Sequence, residues 1–137
     1  MFTVYNITPL IEDVLKIKGV NYSVFERMPP DTPTYYKGPI IEGRDIRLMH
    51  EEIIIRFLDE CYPTPQLIAG DCKERASIHV FIEHIKHLPQ NAISSLINQA
   101  DPFISGKAIT LIDMILYRTS SDQAYKKFIQ KAIYNNG

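Results

Sequence analysis

The sequence has no tryptophan, only two cysteines and no long apolar run. Cys61 and Cys72 do not form a C-x-x-C motif, so a redox pair is not indicated. The apolar runs are too short for a membrane-spanning helix or for the core of a signal peptide. These absences predict a cytoplasmic protein in a reducing compartment, without a membrane partner.

An excess of charge of one sign is also lacking. There are 15 basic and 16 acidic residues, which gives a formal net charge of -1. A basic face of the kind that binds nucleic acid is therefore not indicated, and neither is a like-charge run that would coat a membrane surface. We expect no direct contact with nucleic acid.

Short apolar runs near the middle of the chain are the first positive signal. Residues 40–41 and 46–49 flank a polar turn at 42–44, and their alternation is typical of a half-buried hairpin. A helical stripe follows directly, and prolines after it prevent its continuation. The stripe consists of Ile53, Ile54, Phe57, Leu58 and Cys61, so Cys61 is interpreted as a small core residue.

The chain before this hairpin predicts a β-α-β unit. Residues 2–5 are rich in strand formers, Thr8 and Pro9 form a helix start, and Gly19 is placed to end that helix. Residues 20–26 then alternate as a second strand. The proline density of residues 28–37 predicts a connecting loop in place of a helix.

The second half predicts helices that begin at recognisable caps. Asp71 and Glu74 form a capping box, and residues 110–113 (TLID) form another with Ile109 and Met114 at staple positions. Ser120 and Gln123 are interpreted as the cap of a last helix, whose buried residues are predicted to be Ala124, Phe128, Ile129 and Ala132.

Residues 57–67 (FLDECYPTPQL), preceded by Pro39 at the start of the hairpin, resemble the end of the thioredoxin-like domain of the glutathione transferase superfamily. The Tyr-Pro-x-Pro stretch and residues 73–76 (KERA) are similar to the stringent starvation protein A branch, whose members bind RNA polymerase. The resemblance implies a thioredoxin-like α/β domain at 1–62, a linker at 63–70 and a reduced all-helical domain, like the transferase C-terminal domain, at 71–137.

The resemblance also implies a degenerate glutathione site. A family proline at the position of Pro39 presents the preceding backbone to the cysteine part of glutathione, and Gly38 is expected to loosen that edge. Active members carry Glu-Ser where this chain has His50 and Glu51, and the carboxylate of Glu51 would repel the γ-glutamyl carboxylate at the helix N-terminus. With the family's second helix also missing, no cofactor is expected.

Candidate catalytic groups are few. If the protein is an enzyme, the hydroxyl that activates the glutathione thiol is that of Tyr5 or Thr8, although each also has a structural explanation. His79, Glu83, His84 and His87 cluster on one helix, but their spacing favours a solvated face over a metal site.

Residues 62–67 are the candidate partner surface, because two prolines hold an extended segment that another protein could bind with little loss of entropy. These residues are Tyr62, Pro63, Thr64, Pro65, Gln66 and Leu67. An interdomain linker alone explains them equally well.

The function expected from the resemblance is that of a non-enzymatic regulator that contacts RNA polymerase or an associated transcription factor. The alternatives are a glutathione-dependent transferase and a dimerisation scaffold without a polymerase link. A homo- or heterodimer is expected, because a helical domain this small has few layers with which to bury Ile78, Phe81, Ile82 and Ile85.

Overall fold

The computed structural model describes residues 1–100, 102–104, 106 and 108–134. The chain forms two compact units, Met1–Thr64 and a second that begins at Pro65, so the boundary falls within the predicted linker. The end of the predicted second domain, 135–137, lies outside the described residues. The elements are β1 (Phe2–Tyr5), α1 (Pro9–Lys18), β2 (Tyr22–Phe25), β3 (Ile40–Gly43), β4 (Ile46–Met49), α2 (Glu51–Cys61), α3 (Cys72–Ile85), α4 (Gln90–Asn98), α5 (Leu111–Thr119) and α6 (Gln123–Tyr134).

The first unit is built on a mixed sheet with the strand order β2-β1-β3-β4. β1 pairs in parallel with β2 and antiparallel with β3, and β3 and β4 form the predicted hairpin. Phe2, Val4 and Ile41 are fully buried, and the Phe57 ring of α2 meets the Phe2 ring edge-on at 6.0 Å. This sheet with the six helices is the predicted fold class, a thioredoxin-like domain and a reduced helical domain.

The ends of α1 follow the sequence signals. The Thr8 hydroxyl accepts a hydrogen bond from the Ile11 N–H at 3.3 Å, and Pro9 occupies the first helical position. Gly19 ends the helix with a φ of 66°, in the left-handed region that favours glycine. The predicted β-α-β unit and its caps are therefore confirmed.

The buried stripe of α2 differs from the predicted one. Ile54 and Leu58 are buried as expected, but Ile53 is 47% exposed and Ile55 takes its place in the core. Cys61 is exposed, so its interpretation as a core residue was wrong. The inner face instead contains Asp59, whose Oδ1 lies 2.7 Å from Lys18 Nζ.

This ion pair joins the last turns of α1 and α2. The side chains of Lys18 and Asp59 are 0% and 2% exposed, and Lys18 Nζ also donates to the carbonyl oxygen of Tyr62. A buried carboxylate is tolerated only when it is paired and hydrogen-bonded. The pair therefore explains why a charged residue occupies a core position of α2.

The connection between β2 and β3 contains no helix, as its prolines predicted; all of its residues, 26–39, are described. Arg47 of β4 holds it to the sheet through an ion pair with Asp31 at 2.7 Å. Tyr36 anchors its other end and is buried. The irregular segment is thus attached at the two ends of β4, through the Arg47–Asp31 ion pair and through the Tyr36 hydroxyl, which accepts the His50 N–H.

The described residues of the second unit form the helices α3 to α6 and one isolated β-bridge, between Phe103 and Gly106. Asp71 and Glu74 form the predicted capping box of α3, and Thr110 and Asp113 form that of α5. The core of this unit includes Ile82, Ile85, Ile93, Ile97, Met114, Leu116, Tyr125, Ile129 and Ile133.

The prediction for α6 was partly wrong. The helix begins at Gln123, two residues later than a cap at Ser120 implies, because the capping oxygen belongs to Asp122, whose Oδ1 accepts from the Tyr125 N–H at 3.1 Å. Phe128 is 41% exposed, whereas Tyr125 and Ile133 are buried with Ile129. The Ser120 hydroxyl supports the cap indirectly, because it accepts the N–H of Asp122.

Two further findings bear on partners. Within the described residues, no helix combines the length and apolar character needed to cross a membrane.

Ile82 and Ile85 of α3 are buried within the chain itself. Two of the four residues for which a dimer was expected to provide cover are therefore already buried without one.

Candidate functional site

The candidate site lies in the first unit, where the start of α1, the start of β3 and the start of α2 meet. Thr8 precedes α1, Gly38 and Pro39 precede β3, and His50 and Glu51 lie at the start of α2. The structure links Thr8 to Glu51 directly and links Pro39 to His50 through one intervening side chain. All five residues therefore take part in hydrogen bonds within the chain, since the carbonyl oxygen of Gly38 accepts one from Asn6.

The bond between Thr8 and Glu51 defines the site's chemistry. The Thr8 hydroxyl donates to Oε2 of Glu51 while its oxygen accepts the Ile11 N–H. A threonine hydroxyl has one proton, and here that proton is used by a carboxylate of the same chain. Thr8 therefore has no free proton with which to stabilise a thiolate.

Tyr36 bridges the other two parts of the site. Its hydroxyl donates to the carbonyl oxygen of Pro39 and accepts the His50 N–H at 2.7 Å. Its ring meets the His50 imidazole edge-on at 5.2 Å. The polar backbone groups on both sides of this phenol are therefore satisfied within the chain.

Gly38 is required by Tyr36. A Cβ atom at position 38 would lie 2.6 Å from the Tyr36 hydroxyl oxygen, which is closer than real side chains allow. The expectation that Gly38 loosens this edge was therefore wrong, because the tyrosine ring fills the space that a side chain would occupy. The side-chain amide of Asn6 closes the same edge by donating to the carbonyl oxygens of Lys37 and Gly38.

The start of α2 combines strain with negative charge. His50 has a φ of 74°, a conformation that a non-glycine residue adopts at a cost of about 1–3 kcal/mol. Its side chain makes no capping bond, and Glu51 and Glu52 follow in the first turn. A helix N-terminus normally attracts an anion, and here the carboxylate of Glu51 already supplies one.

Tyr5 lies in a different environment. Its ring packs against the Phe25 ring at 5.8 Å, and both line a surface cavity of about 690 Å³ with Glu42 and Arg47. No hydrogen bond among the described residues joins Tyr5 to Thr8 or Glu51. Within the part of the chain that the structure describes, hydrogen bonds therefore do not link the two candidate catalytic hydroxyls.

Sequence reasoning missed Asn6 and Tyr36. Asn6 has a φ of 51°, and it reaches residues that are 31 and 32 positions away in the chain. Nothing local to Asn6 indicates such contacts. For Tyr36 a signal existed, since a glycine two positions later leaves room for a large side chain.

The predicted cluster is not confined to one helix, because His79, Glu83 and His84 lie in α3 and His87 follows its end at Ile85. Glu83 pairs with Lys86 at 2.8 Å, and this hydrogen bond lowers the pKa of the carboxyl group. Across the described residues, no three histidine, cysteine or acidic side chains are grouped in a way that could hold a metal ion.

The 62–67 segment is only partly accessible. Pro63, Thr64 and Gln66 are exposed. Tyr62 packs edge-on against Phe2 at 6.3 Å, and its ring also lies 5.9 Å from the Arg44 guanidinium carbon. Leu67 is fully buried, and its carbonyl oxygen accepts the Leu111 N–H at 3.1 Å, so its inclusion in a contact surface was wrong.

Comparisons of sequence find no relatives. No protein-family model matches this chain, and no curated protein matches it. The comparison of structures, in contrast, finds many similar folds.

The similar structures are glutathione transferase fold proteins. A glutathione transferase from Rhodospirillum rubrum F11 matches with a TM-score of 0.64 and 16% identity, over 96% of this chain and 79% of its own. Glutathione transferase Omega 3C from Trametes versicolor matches with a TM-score of 0.62 and 19% identity, over 85% and 70%. Maleylacetoacetate isomerase from Anaeromyxobacter dehalogenans 2CP-1, with GSH bound in its active site, matches with a TM-score of 0.61 and 15% identity, over 100% and 96%.

Proposed function

We propose that this chain, which has the glutathione transferase fold, is a non-enzymatic regulatory protein of the stringent starvation protein A type. It acts by protein contact with RNA polymerase or an associated transcription factor. The observation that carries the non-enzymatic part is the hydrogen bond from the Thr8 hydroxyl to the Glu51 carboxylate. The polymerase part is supported by the resemblance of the residues around 62–67.

The proposal is that the site is closed to glutathione by the chain's own groups. Glu51 supplies the negative charge at the start of α2, so the carboxylate of a ligand would be repelled there. Tyr36 uses the Pro39 carbonyl and the His50 N–H, and Asn6 uses the carbonyls of Lys37 and Gly38. A ligand would have to break these bonds before making its own, which costs affinity.

The proposed contact surface is the exposed part of the 62–67 segment. Pro63, Thr64 and Gln66 remain accessible, whereas Tyr62 and Leu67 are used by the fold. Pro63 restricts the backbone there, so little entropy is lost when a partner binds. The Tyr62 ring packs against Phe2 and Arg44, so we do not propose it as the anchor of this surface.

Titration calorimetry with glutathione tests the non-enzymatic part. We expect no heat of binding at ligand concentrations in the micromolar range, and no turnover of a standard electrophile. Micromolar binding together with turnover would reject the proposal in favour of a transferase. Tyr5→Phe should then abolish turnover if Tyr5 is the activating hydroxyl.

A pull-down with RNA polymerase tests the partner. Wild type should recover polymerase, and the double variant Thr64→Glu plus Gln66→Glu should not. The matched control is Gln99→Glu plus Gln130→Glu, which adds the same charge at exposed positions elsewhere. Equal recovery by both double variants, or none by wild type, would reject the surface; melting temperatures establish that the variants are folded.

A glutathione-dependent transferase is the second candidate. It is favoured by the maleylacetoacetate isomerase structure, which has this fold and holds GSH in its active site. If Thr8 is the activating hydroxyl, the reaction would require Glu51 to release it. The calorimetric titration distinguishes this candidate from the first.

A further inference from the structure

The edge strand β2 is unusual among the sheet's strands. It lies at one end of the strand order, and Val24 and Phe25 are 44% and 53% exposed. The other edge strand, β4, carries Arg47, whereas Tyr22–Phe25 contains no charge, proline or glycine. Exposed edges without such protection are the ones that pair with another chain.

The register of the sheet fixes which backbone groups of β2 are free to pair. Phe2 aligns with Tyr22, and the Phe2 N–H donates to the Asn21 carbonyl at 3.2 Å. Because the polar groups of successive residues in a strand alternate in direction, those of Asn21, Ser23 and Phe25 point toward β1. Those of Tyr22 and Val24 therefore point away from the sheet.

We propose that β2 is a self-association edge, on which a second copy of this chain pairs antiparallel with Val24 on the two-fold axis. The N–H and carbonyl of Val24 then bond to the same groups of the partner's Val24. Tyr22 lies opposite the partner's Glu26, and Glu26 lies opposite the partner's Tyr22. This register uses the outward-pointing groups at each position.

Charge favours a second copy as the occupant of this edge. Lys16 Nζ lies 5.5 Å from the centre of the Tyr22 ring, and both Lys16 and Glu26 are exposed. Neither side chain forms a salt bridge among the described residues. The antiparallel register brings Lys16 of one chain beside Glu26 of the other, and the two-fold axis repeats that pair.

The exposed apolar side chains fit the same arrangement. Directly opposite residues of an antiparallel pair share a face, so the two Val24 side chains meet, and Phe25 lies across from the partner's Ser23. Both exposed apolar residues of β2 are then covered. A contact confined to one strand edge is small, so we expect a dimer in the micromolar range.

Sedimentation equilibrium tests the edge. Wild type should show a monomer–dimer equilibrium, and Val24→Pro should remove it. Since the Val24 N–H points outward, proline there takes no hydrogen bond from the β1–β2 ladder, and edge positions of this kind accept proline. A monomeric wild type at about 100 µM, well above the expected dissociation constant, would overturn the proposal.

Charge reversal tests the register without a backbone change. Lys16→Glu and Glu26→Lys should each weaken the dimer by about threefold to tenfold, and the double variant should restore it. Lys127→Glu, at an exposed position of α6, is the control and should leave the dimer unchanged. A folded Val24→Pro protein that dimerises like wild type, or a double reversal that restores nothing, would also overturn the proposal. The result is independent of glutathione and polymerase binding.

Discussion

At the scale of single residues, the glutamate at position 51 of the candidate site has two effects. Its carboxylate supplies the negative charge that stabilises the N-terminus of α2 in the absence of a ligand, and it accepts the hydroxyl proton of Thr8. The first effect follows from the sequence, since a glutamate at the start of a helix has a known electrostatic role. The second does not, because Thr8 is 43 positions away and only the fold brings the two side chains together.

Glu51→Ser should therefore increase the affinity for glutathione relative to wild type, by about tenfold if one like-charge repulsion is removed. It removes the carboxylate and returns the Thr8 proton to solvent. Glu52→Ser is the matched control, because it removes an exposed carboxylate from the same first turn without touching Thr8. Calorimetry in which both variants bind alike would contradict a specific role for Glu51.

Tyr125 provides a pH-dependent test of a buried contact. Its hydroxyl donates to Asp113 Oδ1 at 3.0 Å, and its pKa is raised, first because burial disfavours the phenolate and then because Asp113 is negatively charged. The fold therefore favours the neutral phenol. This contribution is fully present below the ordinary tyrosine pKa of 10.0 and is lost as the pH rises above it, because the unfolded chain ionises first.

The free energy of unfolding, measured with urea near neutral pH and again at about pH 11, should fall more for wild type than for Tyr125→Phe. At neutral pH the variant should be less stable by about 1.5–3 kcal/mol, the usual value of a hydrogen bond to a charged group. If wild type and Tyr125→Phe lost equal free energy of unfolding at high pH, the Tyr125 phenol would not remain protonated in the folded state.

At the scale of elements, the boundaries were predictable where caps are local. Thr8, Gly19, Asp71 and Thr110 each bond within a few residues, and each marks a helix end that the structure contains. The buried face of α2 was less predictable. A buried face is predicted from sequence on the assumption that its residues are apolar. Asp59 breaks that assumption, because Lys18 on another helix neutralises its charge and allows it to be buried.

Asp113 is more than a cap. Beyond its bond with the Thr110 N–H at 3.0 Å, it accepts the Ile104 N–H at 2.9 Å and the Tyr125 hydroxyl. Thr110→Ala should cost about 1 kcal/mol of stability, the usual effect of losing a cap. Asp113→Ala should cost at least about 3 kcal/mol, because it leaves several buried donors without an acceptor.

Asp122→Ala is the control for this comparison, since Asp122 caps α6 with a bond to the Tyr125 N–H, in a less buried setting. It should resemble Thr110→Ala in the urea denaturation midpoint. If Asp113→Ala were no worse than Asp122→Ala, the bonds of Asp113 to the Ile104 N–H and the Tyr125 hydroxyl would contribute nothing beyond an ordinary cap.

At the scale of the whole molecule, the fold was predictable from a resemblance that family models do not detect. The strand order and the helices agree with it. Residues 28–37 form no helix, as their prolines predicted, and in this they depart from the family pattern. The closure of the candidate site was not predictable in the same way. It depends on Asn6, Tyr36 and Thr8, whose contacts join residues that are distant in sequence or that lie in an irregular segment.

The balance of charge over the molecule leads to the last prediction. The chain has 15 basic and 16 acidic residues and so no excess of positive charge, and the proposed surface of Pro63, Thr64 and Gln66 is uncharged. Binding to polymerase should therefore change by less than about threefold between low and physiological salt, because few charges are screened.

A protein that neutralises several phosphates behaves differently, since it loses roughly a thousandfold or more in affinity over the same salt range. Measuring polymerase binding at several salt concentrations, with a labelled DNA duplex as a parallel ligand, separates the two cases. A steep salt dependence, or binding of the duplex alone, would mean that the chain contacts nucleic acid directly. Polymerase binding that depends only weakly on salt, and that Thr64→Glu plus Gln66→Glu abolishes, would locate the contact on the uncharged segment, because those changes add charge only there.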